Sequence, residues 1–125
     1  MLRGYRILDC TTRIGWLTGR LLADLGADVV KLELPDADVG SSRWRAFNVN
    51  KRLLRLNYRE HQDELDRLIR GVDVLIESAR PGTGDAERFD PDRLRRLNPR
   101  LVHVTITPFG RTGPRSAWRG GDLEL

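Results

Sequence analysis

The sequence predicts an α/β domain with a doubly wound, mainly parallel sheet, and three observations carry that prediction. Apolar runs of strand length alternate along the chain with helical patterns. The runs are near-continuous and do not alternate apolar with polar, as strands covered on both faces require. Glycine or Asn-Pro closes each helical pattern just before the next run, which is the short joint a right-handed βαβ unit needs.

The elements follow in order. Tyr5 to Thr11 reads as a first strand, and Leu17, Leu21, Leu22 and Leu25 recur after it at helical spacing. Gly26 stops that helix, and Asp28 to Leu34, β-branched and bounded by Pro35, forms a second strand. Pro35 to Asn50 is polar and without period, so a long loop is expected there. Arg52 to Asn57 forms a short strand, Arg59 to Arg70 a helix with Leu65, Leu68 and Ile69 on one face, and Gly71 its stop. Val72 to Glu77 is the next strand. Asp90-Pro91-Asp92 has the character of a helix cap and first turn, with the helix running through Leu97 to the stop at Asn98-Pro99. Leu101 to Ile106 is the last strand, and a Gly/Pro-rich run follows from Pro108 to Gly121. The whole, residues 1–125, is expected to be one Rossmann-like domain.

Composition narrows the function. With 39% hydrophobic and 32% charged residues and no apolar run of membrane-spanning length, the chain reads as a cytoplasmic globular domain without a membrane partner. No apolar stretch with a cleavage site opens it, so secretion is not expected. The single Cys10, inside an apolar strand, is expected to be inert packing. The net charge of +4 comes mainly from dispersed arginines interleaved with Asp and Glu, with Lys31 and Lys51 the two lysines. That pattern lacks the basic patch of a nucleic-acid surface, while arginine planes still suit the phosphates of a small molecule. No Cys/His cluster has metal-ligand spacing, so no metal is expected. His103, inside a strand, is expected to be packed and satisfied, and His61 solvent-facing.

Ligands of doubly wound sheets gather beyond the carboxyl ends of the strands. Thr12 and Arg13, the loop around Arg43, the run Ser78 to Gly82, and Thr107-Pro108 are therefore the positions where a site is expected. The first crossover, Thr11 to Gly15, is neither a dinucleotide fingerprint nor a P-loop, and a nicotinamide dinucleotide is not expected.

Five blocks, LDCTTRIG, GRLLADLGADVVKLELP, NVNKRLLRLN, VDVLIESARPG and LNPRLVHVTITPFGRTGP, stand in an order that resembles the N-terminal part of the family III coenzyme A transferases. That family includes carnitine-CoA and formyl-CoA transferases and α-methylacyl-CoA racemases. The resemblance implies part of the family's large domain, with coenzyme A or acyl-CoA held by loops at the strand ends. Thr12 and Arg13 match the loop that approaches the cofactor. Arg43 matches an arginine suited to a nucleotide phosphate. Lys51 and Arg52 match a basic block that either binds phosphate or pins the strand end. Ser78 and Ala79 stand where the family commonly has Asn-Phe, which removes an aromatic surface for adenine. Arg80 keeps the family's arginine, and Arg88 replaces one that would align to Ala86. Thr107-Pro108 stands where the family usually has Ser-Gly, and proline removes a backbone donor.

The resemblance further implies a carboxylate nucleophile: an aspartate attacks the thioester carbonyl to give a mixed anhydride and then an aspartyl-CoA thioester. That aspartate is expected beyond Leu125, Asp122 matching a different position. Relatives that racemise carry a histidine where this chain has Gly121, which weakens a racemase reading. The expected substrates are an acyl-CoA and a carboxylic acid, and the expected partners a second copy or a complementary C-terminal chain. The alternative is a non-catalytic interaction module that keeps the fold and has lost the coenzyme site.

Overall fold

Helix α1 (Trp16–Asp24) ends in a way that fixes the strand after it. Gly26 takes φ +102°, its N–H donates to the Ala23 carbonyl at 2.9 Å, and the Ala27 N–H donates to the Leu22 carbonyl at 3.1 Å. These are the two bonds of a Schellman motif, which satisfies the helix's last carbonyls and turns the chain within three residues. Strand β2 (Asp28–Glu33) starts at the next residue and pairs parallel with β1 (Arg6–Cys10).

The computed structural model describes residues 1–120; Gly121 and Asp122, weighed above, lie outside them. With β3 (Arg52–Arg55), β4 (Val74–Glu77) and β5 (Val102–Thr105), the sheet has five strands in the order β3-β2-β1-β4-β5. All four pairings are parallel, so the expected fold class holds. On one face Ala23 of α1 packs with Ile7, Ala27, Val29 and Ile76, and α2 (Ser42–Asn48) lies against α1. On the other, α3 (Gln62–Arg70), α4 (Gly84–Arg88) and α5 (Pro91–Leu97) enclose Leu8, Leu32, Leu65, Ile69, Leu75, Phe89 and Leu94. The winding reverses between β1 and β4, which makes the gap beyond their carboxyl ends the topological switch point.

Helix α5 starts as its sequence predicts: the Asp90 side chain accepts the Arg93 N–H at 3.0 Å and Pro91 opens the first turn. Three expectations are corrected. Leu17, Leu21 and Leu25 were expected on the buried stripe of α1, yet they are 50%, 53% and 44% exposed. Gly19 and Ala23 face the sheet instead, because α1 lies too close to the sheet for a leucine between them. The expected loop from Pro35 to Asn50 contains α2, capped by the Ser41 hydroxyl accepting the Trp44 N–H at 3.1 Å. Helix α4, capped by Thr83, was not foreseen either. Helices of one or two turns like these carry too short a period to be read from apolar spacing.

Candidate functional site

Beyond the ends of β1 and β4 lies an open cleft of about 520 Å³. Its floor is the pair of loops leaving those strands. The Thr12 N–H donates to the Ser78 hydroxyl at 2.7 Å, and the two hydroxyls lie 2.9 Å apart, so the loops are tied directly across the switch point. Ala79, Arg80, Thr83 and Gly84 line it together with Arg59, Asp85 and Arg88. Arg59 forks onto Asp85 with bonds of 3.2 and 2.8 Å, while Arg88 reaches the same carboxylate at 3.0 Å. The Asp85 pairing raises the Arg59 pKa further above its ordinary value. Three guanidiniums therefore face the cleft against one carboxylate, and Arg80 is exposed on its rim. The surplus of planar cations suits a phosphorylated ligand.

Beneath α1 and α2 the sheet carries a buried charged layer. Asp9 is fully buried; Oδ1 accepts the Thr11 N–H at 3.0 Å and its hydroxyl at 2.6 Å, and Oδ2 accepts Lys51 Nζ at 2.7 Å. Lys51 also donates to the Trp16 carbonyl at 2.9 Å and to Asn48 Oδ1 at 2.7 Å. Lys31, its neighbour in the layer, is 1% exposed and bonds the Thr11 carbonyl at 2.8 Å and Glu33 at 3.0 Å. Burial pushes the Lys51 ammonium below its ordinary value, outweighing the attraction of Asp9. A side chain at Gly19 would place Cβ 2.1 Å from Asp9 Oδ2, so only glycine lets α1 lie on this layer. The layer shapes the Thr11-Thr12 turn and hence one side of the cleft.

Thr12, Ser78, Arg80 and Arg88 are the expected site residues that the fold brings together in the cleft. Arg13, in a turn of 3-10 helix, and Thr107, whose hydroxyl accepts the Gly110 N–H at 2.8 Å, do not line it. Arg43 is exposed in the first turn of α2; its neighbour Trp44 bonds Glu33 at 3.1 Å, at the carboxyl end of β2 and on the opposite face of the sheet from Arg59 and Arg88. Lys51 is enclosed by its three acceptors. Arg52 begins β3, at the amino end of the sheet, where it forks onto Asp28 at 2.9 and 2.8 Å. Lys51 and Arg52 are thus each bonded to a carboxylate, and neither lines the cleft.

Arg59 and Asp85 were missed. Arg59 was within reach of the strand-end rule, since it follows β3, but Asp85 sits in a helix the sequence did not signal. His103 is satisfied as expected, with Nε2 2.8 Å from Glu77 Oε2, and His61 is exposed at the start of α3. Burial pushes the Cys10 thiol pKa far above its ordinary value, which disfavours the thiolate, and it raises Tyr58 to about 12. Among the described residues no group of three or more His, Cys, Asp or Glu could hold a metal ion, and no helix is long and apolar enough to cross a membrane.

Known proteins share this chain's sequence and fold. A sequence model described as CoA-transferase family III matches residues 2–125. Subunit BbsE of succinyl-CoA:(R)-benzylsuccinate CoA-transferase from Thauera aromatica is 36% identical, over 95% of this chain and 33% of that protein. A formyl-CoA:oxalate CoA-transferase of Streptomyces coelicolor is 39% identical over 98% of this chain and 33% of its own length. The crystal structure of Rv3272 from Mycobacterium tuberculosis superposes with a TM-score of 0.84 at 32% identity, covering 98% of this chain and 38% of that one. A CAIB/BAIF family protein from Brucella suis gives 0.84 at 30% identity, covering 98% and 37%. The chain spans about a third of the length of the curated relatives it matches.

Proposed function

The chain belongs to CoA-transferase family III, and from that premise we propose that its switch-point cleft holds the coenzyme A moiety of an acyl-CoA during transfer of CoA to a carboxylic acid. One observation carries the reading: Arg59, Arg80 and Arg88 converge on the cleft while Asp85 is the lone carboxylate among its lining residues. CoA brings a 3′-phosphate and a diphosphate, and guanidiniums bind such groups by charge-assisted, often bidentate bonds. Thr12 and Ser78 supply the polar floor. Ala79 offers no ring for adenine, so phosphate contacts dominate the affinity. Arg43, at the same end of the sheet but outside the cleft, is a secondary phosphate contact in this reading.

The chemical step needs a carboxylate free to attack a thioester carbonyl. Asp85 is unsuited, being held by two arginines, and Asp9 and Glu77 are buried and fully engaged. The nucleophilic aspartate is accordingly proposed to lie outside these 125 residues, whose share of the reaction is to bind and orient the coenzyme.

Calorimetric titration tests this with CoA and 3′-dephospho-CoA on the wild type and Arg80→Ala. CoA is expected to bind with an affinity that falls steeply with salt, because exposed cation–phosphate contacts are screened over about 8 Å at physiological ionic strength. Arg80→Ala should cost on the order of 1.5–3 kcal/mol if its contact is a charged hydrogen bond. The loss of an aromatic at Ala79 favours the second reading, an interaction module without a coenzyme site. Absence of CoA binding by the wild type would select it.

A further inference from the structure

We propose that Glu77 is a positioning residue, whose buried carboxylate holds the Ser78–Arg80 loop in the shape that binds the ligand. The assignment rests on the reading of the cleft as a coenzyme site. Glu77 ends β4 and is 0% exposed. Its Oε1 accepts the Ala79 N–H at 3.0 Å. Its Oε2 accepts the Thr105 hydroxyl at 2.7 Å and lies 2.8 Å from His103 Nε2, both from the neighbouring strand β5. Arg111 approaches the same oxygen at 3.6 Å. Ser78 is meanwhile tied to Thr12. Two successive residues of the loop are thereby fixed, Ser78 to the loop after β1 and Ala79 to a carboxylate that β5 holds, and the third, Arg80, lines the cleft.

A carboxylate deep in a sheet is costly, and an apolar side chain of equal volume would pack β4 more cheaply. What the apolar residue could not do is accept the Ala79 N–H from below. Asp9 repeats the arrangement across the switch point, since it too accepts the N–H two residues on, at Thr11. Each of the two strands at the switch point thus carries a buried carboxylate, the last residue of β4 and the last but one of β1, that accepts an N–H of the loop leaving it.

The partners of Glu77 allow charge to be separated from geometry. In Glu77→Gln the amide oxygen can keep the Ala79 N–H. Its two N–H groups can donate to the Thr105 hydroxyl and to His103 Nε2, with the ring proton on Nδ1. Glu77→Met keeps the volume and loses every one of these bonds. The full chain is titrated with CoA at pH 8. Thermal unfolding and hydrogen exchange at the Ala79 amide are followed in parallel.

Glu77→Gln is expected to bind CoA within about twofold of wild type, and Glu77→Met about tenfold or more weakly, the factor a well-made hydrogen bond carries. Ala79 should exchange faster in the Met variant alone. Leu75→Val, a core change on the same strand, should lower the unfolding temperature and leave CoA affinity unchanged. Wild-type affinity in Glu77→Met overturns the proposal, and so does a loss in folded Glu77→Gln as large as in the Met variant. Should Glu77→Met not fold, a loss of affinity of about tenfold or more in folded Glu77→Gln still overturns the proposal. If the wild type itself binds no CoA, the cleft reading falls, and Ala79 exchange in the variants alone then reports whether Glu77 holds the loop.

Discussion

Gly19→Ala sets helix propensity against tertiary packing, and the two predict opposite signs. Gly19 is interior to α1, where alanine is worth about 1 kcal/mol more than glycine. In the folded chain the new Cβ would stand 2.1 Å from Asp9 Oδ2 and 2.9 Å from Lys51 Nζ. Neither atom can yield cheaply, since both side chains are almost wholly buried and bonded to each other at 2.7 Å. Separating a buried pair costs about 3–5 kcal/mol, so the net expectation is a loss of about 2–4 kcal/mol. At about 4 °C per kcal/mol for a domain of this size, that is a fall in Tm of about 8–16 °C. Differential scanning calorimetry of the wild type, Gly19→Ala, Asp9→Ala and the double variant measures it. Once Asp9→Ala has emptied the space, adding Gly19→Ala should cost nothing or gain a little. A Gly19→Ala protein as stable as the wild type, or simple additivity in the double variant, would refute the reasoning.

Further outcomes follow from the same layer and cleft. Lys51→Met should destabilise by about 3–5 kcal/mol in urea unfolding, because buried Asp9 loses its hydrogen-bonded cation and keeps only Lys31, at 3.9 Å. Because the folded-state pKa of Lys51 lies below its ordinary 10.5, the unfolded chain holds the proton longer, and this group makes stability rise with pH within that window. That contribution should be missing from the urea midpoints of Lys51→Met measured across alkaline pH. Cys10, half-buried and with its thiol pKa raised, should resist iodoacetamide at pH 8 in the native protein and react once unfolded, as mass spectrometry would show; fast native labelling would contradict the raised pKa. Arg43→Ala should weaken CoA binding less than Arg80→Ala does, Arg43 lying outside the cleft; the reverse order in calorimetry would move the phosphate site toward α2.

Much of this fold was legible without coordinates because its signals are local. Gly26 can take a positive φ wherever it stands, Asp90-Pro91 caps a helix through atoms within three residues, and near-continuous apolar runs announce strands covered on both sides. Those signals yield a parallel wound sheet, and the strand-end rule then points to Thr12, Ser78 and Arg80. What only the tertiary structure decided is which side of each element meets its neighbours. Spacing placed Leu17, Leu21 and Leu25 on one stripe of α1, but the gap between helix and sheet, set by Asp9 and Lys51, turned that stripe outward. Charge made Lys51 a candidate for phosphate; a carboxylate 42 positions away in the chain claimed it for the core. Arg59 and Asp85 join the cleft across 26 positions for the same reason. Ion pairs and close approaches act through space, and their partners are set by the winding of the sheet, which no short window of residues contains.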